Sequence, residues 1–207
     1  MPARSARTDP RIARSRRVII EATLELLAEC SFSAISIEAV AARSGSAKTT
    51  IYRHWPTKQD LLIDVVDEAL PVAEAPDTGR VADDLRHFAH DLARILKTEL
   101  MSSLITGVVD ASEREPGMAK LLADFTVRRR RPIHGSVKRA IARGELDAAA
   151  DPDLIASLLL GPLFYRRLIS HQPINNAFLS QLVSAVLAAA GATPVQGGER
   201  SVRSLLD

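Results

Sequence analysis

The sequence predicts an all-α protein: a small N-terminal helix–turn–helix unit of three helices and a connecting helix, then a larger helical domain, about nine helices in total. Three observations predict it. Apolar residues recur at three- and four-residue spacing along most of the 207 residues. Aromatic residues make up only 4% of the chain, while the helix formers Ala, Leu, Arg and Glu abound. Asp-Pro pairs, Ser and Asn caps and well-placed glycines mark where such helices start and stop.

Residues 1–8 read as a basic arm. Asp9-Pro10 opens the first helix, a capping carboxylate followed by a proline whose missing N–H costs nothing there. Ile19, Ile20, Leu24 and Leu27 give it an apolar face to about Glu29, and Ser31–Ser33 break it. Ser36 is the expected N-cap of a helix reaching Ser44, with Ile37, Val40 and Ala41 inward and Gly45 ending it in the left-handed conformation. A short helix from about Lys48 to Trp55 is stopped by Pro56. Thr57 then caps a fourth helix, in which Leu61, Leu62, Val65, Val66 and Leu70 repeat at helical spacing.

Residues 9–70 thus form one unit, and 71–79, with two prolines and a glycine, are the expected linker. Residues 80–191 form the second domain. Its first helix carries Val81, Leu85, Phe88, Leu92 and Ile95 to about Lys97; another runs from about Glu99 to Ser112. The next opens at Glu115-Pro116-Gly117, is expected to kink or break at Pro132, and ends near Gly144. Asp151-Pro152 starts a helix reaching about Ser170, and Asn175 or Asn176 starts the last, ending at Gly191. Both carry apolar bands broader than one core requires, so a second copy is the economical partner, with Leu158, Leu159, Tyr165, Arg166, Phe178, Leu182 and Val186 at the interface. Residues 192–207 read as a loose tail.

Composition excludes several classes. With 46% hydrophobic and 25% charged residues the chain is globular rather than disordered. No apolar run is long enough to span a membrane, the N-terminus does not read as a secretory signal, and the cytoplasm is the expected compartment. The single cysteine, Cys30, allows no internal disulfide and is expected to pack at a core boundary. The net charge of +2 is uneven: residues 1–60 hold ten Lys/Arg against six Asp/Glu, as suits an N-terminal end that meets phosphates.

The chemistry concentrates in the run from Ile37 to Lys58. It reads as a short helix, a turn at Gly45, and a second short helix carrying Lys48, Thr49, Thr50, Tyr52, Arg53 and His54, then Trp55-Pro56-Thr57-Lys58. A helix so equipped can enter the major groove, where donors and methyl contacts read base edges. With these residues placed, the first 70 resemble the DNA-binding domain of the TetR/AcrR family of bacterial transcriptional regulators. The resemblance rests on the long first helix, Gly45 at the turn, and the set Thr50, Tyr52, His54, Trp55 and Lys58. Arg143-Gly144-Glu145-Leu146, the Asp-Pro start and Gly161-Pro162-Leu163-Phe164-Tyr165-Arg166 are similar to one subgroup's ligand-binding and dimerisation domain. Position 46 is often small and apolar in that family and 47 often a capping Ser. Here they are Ser46 and Ala47, so either Ser46 takes over the cap or backbone and water serve.

The resemblance implies a homodimer bound to a palindromic double-stranded DNA operator, most simply as a repressor, and released by an unknown small-molecule effector, with no cofactor. Lys48, Thr49 and Thr50 stand at the start of the reading helix, and Tyr52 and His54 are similar to the family's phosphate binders. Lys58 adds its charge to the N–H groups opening the fourth helix; Ser36, Arg43, Ser46 and Arg53 complete the set. Ile51 and Trp55 are expected in the core. Against this, the threonines can be plain surface residues, and Tyr52 and His54 can cap local backbone. Arg14, Arg16 and Arg17 either follow a phosphate strand or are solvated. An effector cavity can be lined by Phe88, Leu92, Met101, Phe125, Phe164 and Tyr165.

Two rivals fit the residues. One is a DNA-binding activator or nucleoid-type protein without an effector. The other is a helical metal-dependent enzyme using Asp84, His87 and Asp91 on one helix flank. No second Cys/His cluster, phosphate-cradling Gly loop, nucleophile elbow or HExxH supports the enzyme. The run Arg128–Arg131 is expected to be solvated or paired with acidic neighbours.

Overall fold

The computed structural model describes residues 10–30, 32–69 and 76–192. Asp9, the arm 1–8, Leu70, most of the linker and residues 193–207 lie outside them. Among the described residues there are nine α-helices: α1 Pro10–Glu29, α2 Ile37–Ser44, α3 Lys48–His54, α4 Lys58–Ala69, α5 Val81–Leu96, α6 Glu99–Arg114, α7 Pro116–Ala142, α8 Pro152–Phe164 and α9 Asn176–Ala189. A 3-10 turn, Phe32–Ala34, precedes α2, and a π-helical turn, Tyr165–Ile169, continues α8.

The caps follow local chemistry. Ser36 Oγ accepts from Ala39 N–H at 3.1 Å, Asp151 Oδ1 from Asp153 N–H at 2.9 Å, and Asn175 Oδ1 from Phe178 N–H at 2.9 Å. Thr57 and Asp60 cap α4 reciprocally: Asp60 N–H donates to Thr57 Oγ1, and Thr57 N–H and Oγ1–H donate to Asp60 Oδ2. Gly45 takes φ 65° after α2, a conformation that charges a glycine no steric penalty.

Apolar side chains gather in two clusters. The first joins α1–α4 around Ile19, Val40, Ile51, Leu61 and Leu62 and extends into Met101, Leu104 and Val108 of α6 and Met118 of α7. The second joins α5, α8, α9 and the second half of α7 around Leu85, Val137, Leu159 and Leu179. The N-terminal helices are therefore seated on α6 and α7 through apolar contact. Gly107 of α6 lies so close to Phe32 that an added Cβ would stand 2.3 Å from its Cβ. Polar links flank the seat: Gln59 donates to Glu115, and Arg128 pairs with Asp67 at 2.8 Å.

Several expectations need correction. α7 does not break at Pro132: the helix continues through it, forgoing one backbone hydrogen bond, while Ile133 and Val137 beyond it are buried in the core. Cys30 is exposed just past the end of α1, its thiol donating to Leu26 O at 3.2 Å. Asp84 is not on a polar flank: it is fully buried, accepting from the N–H and hydroxyl of Thr78 at 3.0 and 2.8 Å, and pins the chain entering α5. His87 is exposed and does not join it. No His/Cys/Asp/Glu group able to hold a metal is found among the described residues.

The broad apolar bands of α8 and α9 largely face inward. Leu159, Leu182 and Val186 are buried in the second cluster, so these three expected interface residues serve the subunit's own core. Leu154, Leu158, Tyr165 and Ile169 are the large apolar side chains that α8 and its π turn expose. Arg166 lies 3.9 Å over the Phe178 ring and donates to Pro173 O, within the same chain. Among the described residues no helix is long and apolar enough to cross a membrane.

Candidate nucleic-acid interface

α3 has seven residues, too few to persist alone, so its position depends on anchors. Ile51 is fully buried and Trp55, one turn later, is 4% exposed. Thr49, Tyr52 and Arg53, at i, i+3 and i+4, form the opposite, exposed face. Thr50 is half-buried. The sequence thus builds a helix with an apolar foot and a face of hydroxyl, phenol and guanidinium groups turned to solvent.

Asp64 on α4 braces this helix. Its Oδ2 accepts from the Trp55 indole N–H at 2.7 Å and from Arg16 at 2.6 Å. Arg16 also reaches Glu68 at 3.4 Å and lies 5.9 Å over the Trp55 ring. Arg16 is therefore a brace between α1 and α4 rather than a solvated or strand-following arginine. No spacing rule links Trp55 to Asp64, and the sequence reading missed it.

The turn into α3 is also settled. Ala47 stands at the N-cap position with no side-chain bond, while its carbonyl accepts from Thr50 and Ile51 N–H. Ser46 does not cap the helix; its N–H donates to Ser44 Oγ at 3.2 Å, which ties the turn to α2. Gly45, between them, ends α2 in the left-handed conformation as expected.

Two of the expected DNA contacts, Arg43 and Lys48, are in ion pairs within the chain. Arg43 pairs bidentately with Glu29 at 2.6 and 2.9 Å and reaches Glu25 at 3.4 Å, which holds Glu29 below the usual carboxylate range. Lys48 pairs with Glu38, whose carboxyl is likewise held low, mainly by that hydrogen bond. Both pairs are exposed and exchangeable with phosphate at small cost. Ser36 uses its hydroxyl as the α2 cap, Arg53 is exposed, and Lys58 donates to Ile35 O at 3.2 Å.

His54 is half-buried with its ring centroid 5.2 Å from that of Trp55, and its Nε2 is enclosed without a partner. Burial, reinforced by Arg53 and Arg16, pushes its pKa below 6.5, so the imidazole is neutral at neutral pH. The six expected effector-cavity residues divide between the two clusters and the surface. Met101 and Phe125 pack with the first cluster, Phe88, Leu92 and Phe164 with the second, and Tyr165 is 59% exposed. Arg128–Arg131 is partly paired as expected: Arg128 with Asp67, while Arg129 stacks 5.0 Å over Phe125.

Comparison with known proteins matches both halves of this arrangement. Residues 19–65 match the family model for bacterial regulatory proteins of the tetR family, and residues 75–186 match that of the tetracyclin repressor-like C-terminal domain. The chain is 31% identical over 184 residues to the HTH-type transcriptional regulator YdeS of Bacillus subtilis, covering 86% of this chain and 91% of that one. It is 28% identical to the DNA-binding transcriptional repressor TetR of Mycobacteroides abscessus, over 82% and 90% of the two chains. Its fold is that of Salmonella enterica GusR, with a TM-score of 0.70 over 90% of this chain and 99% of that one at 20% identity.

Proposed function

The chain belongs to the TetR family of bacterial transcriptional regulators, a DNA-binding protein and not an enzyme, and from that premise we propose that it is an effector-released repressor. It binds a near-palindromic operator as a homodimer, α3 of each copy entering successive major-groove faces about one helical turn apart. The observation that carries this is the exposed triad Thr49, Tyr52 and Arg53 above the buried foot of Ile51 and Trp55. Thr49 and Arg53 supply base-edge contacts, Tyr52 a phosphate contact, and Lys48, Arg43 and Lys58 further positive charge for the backbone.

Leu154, Leu158, Tyr165 and Ile169, exposed on α8 and its π turn, support the dimer. The repressor sign is supported by the relative described as a repressor. The effector acts from 80–191 through the seat of Phe32 on Gly107, by favouring a head position that no longer fits the operator. Selection from random-sequence DNA, followed by anisotropy titration of the enriched site, tests it. Enrichment of a two-half-site palindrome bound by two copies is the expected result. A protein that enriches nothing, or binds as one copy, contradicts it.

A further inference from the structure

One cavity shares no residue with the DNA-reading face. It lies between the C-terminal end of α5, the π turn and the segment that leads into α9, with a volume of about 380 Å³. That is inside the range of about 300–1,000 Å³ usual for small-molecule sites. Leu96 and Ile174 provide apolar wall; Lys97, Arg166, Arg167 and His171 provide four basic side chains, and no acidic residue lines it.

Cations near α5's C-terminal carbonyls are expected on helix-dipole grounds alone. One is enough for that purpose, and Arg167 supplies it: its Nε donates to Leu96 O at 2.7 Å and to Ser102 Oγ at 2.9 Å. The same two bonds orient the guanidinium while leaving its terminal nitrogens without a partner among the described residues. The Lys97 ammonium has none there either. A fork held by Nε with both ends open is the geometry that grips a carboxylate bidentately.

The backbone is unusual here as well. Arg166 and Arg167 lie inside the π turn, closed by Ser170 N–H to Tyr165 O at 2.9 Å, whose extra residue per turn re-aims consecutive side chains. His171 follows at φ 49°, the left-handed region that a non-glycine residue seldom enters without cause. Arg166, stacked on Phe178 and bonded to Pro173 O, fixes the segment that carries His171.

We propose that this cavity binds a small organic anion, a carboxylate on a compact apolar body, gripped by Arg167 and Lys97 against Leu96 and Ile174. That it is also the effector's site rests on the effector reading above.

Calorimetry on the full-length chain tests the site, with hexanoate and benzoate as probes, hexanamide, benzamide and inorganic phosphate as controls, and Lys97→Glu as the variant. Lys97 is exposed and unpartnered, so the variant keeps its fold, which its melting temperature verifies. Expected are a carboxylate bound at least about tenfold tighter than its amide, and about tenfold weaker binding in Lys97→Glu. A wild-type chain that binds neither carboxylate, or amide equal to acid, or an unaffected variant overturns the proposal. Phosphate bound as tightly as hexanoate overturns the apolar part. Operator release by the carboxylate in wild type and not in Lys97→Glu supports both site and effector role. Binding lost in the variant with operator affinity never altered keeps the anion site and removes the effector role.

Discussion

Two neighbours on α3 have opposite duties, and replacing each with alanine separates them. Ile51→Ala removes three carbons from a side chain with no exposed surface. At about 0.8 kcal/mol per buried methylene, transfer alone accounts for about 2.4 kcal/mol. Incomplete collapse around the void raises the loss to about 3–4 kcal/mol. A seven-residue helix cannot compensate from its own hydrogen bonds, so operator affinity falls for every sequence alike. Thr49→Ala, by contrast, touches an exposed side chain: stability stays within about 0.5 kcal/mol while the preferred operator changes. Urea unfolding read by the single tryptophan, Trp55, supplies the free energies, and anisotropy on a panel of operator variants supplies the preference. The reasoning is refuted if Ile51→Ala costs less than about 1 kcal/mol, or if Thr49→Ala weakens all operators equally.

Three further outcomes follow from the packing. Gly107→Ala puts a Cβ 2.3 Å from that of Phe32, which cannot swing aside; overpacking, less the gain in helix propensity, lowers stability by about 1–2 kcal/mol in the same urea titration. Asp64→Ala strips the acceptor from Trp55 Nε1 and Arg16, costing about 1–2 kcal/mol at this part-exposed site and red-shifting tryptophan emission; an unshifted spectrum contradicts the brace. The folded chain holds His54 below its unfolded pKa of 6.5, so the unfolded state takes up the proton first as pH falls. The histidine's contribution is therefore whole above pH 6.5 and declines below it. His54→Gln should flatten that part of the stability profile, and a slope unchanged by the substitution contradicts the burial.

The helices were legible because their signals are local. Ser36, Gly45, Asp151 and Asn175 each act within four residues, and apolar spacing needs only the chain's own periodicity. Ile51 and Trp55 were legible as core for the same reason. What escaped the sequence depends on residues far apart in the chain. Arg16, Trp55 and Asp64 meet only once α1, α3 and α4 are packed, and Arg43 finds Glu29 only across two helices. Pro132 is tolerated inside α7 because buried Ile133 and Val137, packed in the second cluster, hold the helix beyond it. The breadth of the α8 and α9 bands was visible, but not that Leu159, Leu182 and Val186 face one another's helices inside a single subunit. The cationic cavity was invisible because a π turn and one left-handed residue assemble it.

The proposed entry of α3 into the major groove can be tested from the DNA itself. In the selected operator, 7-deazaguanine or uracil in place of guanine or thymine removes an acceptor or methyl from the major-groove edge, and inosine removes only guanine's minor-groove amine. Within each half-site, the first two replacements should weaken binding by about tenfold per contacted base while inosine leaves it unchanged. Sensitivity to inosine, with indifference to the major-groove replacements, contradicts the account.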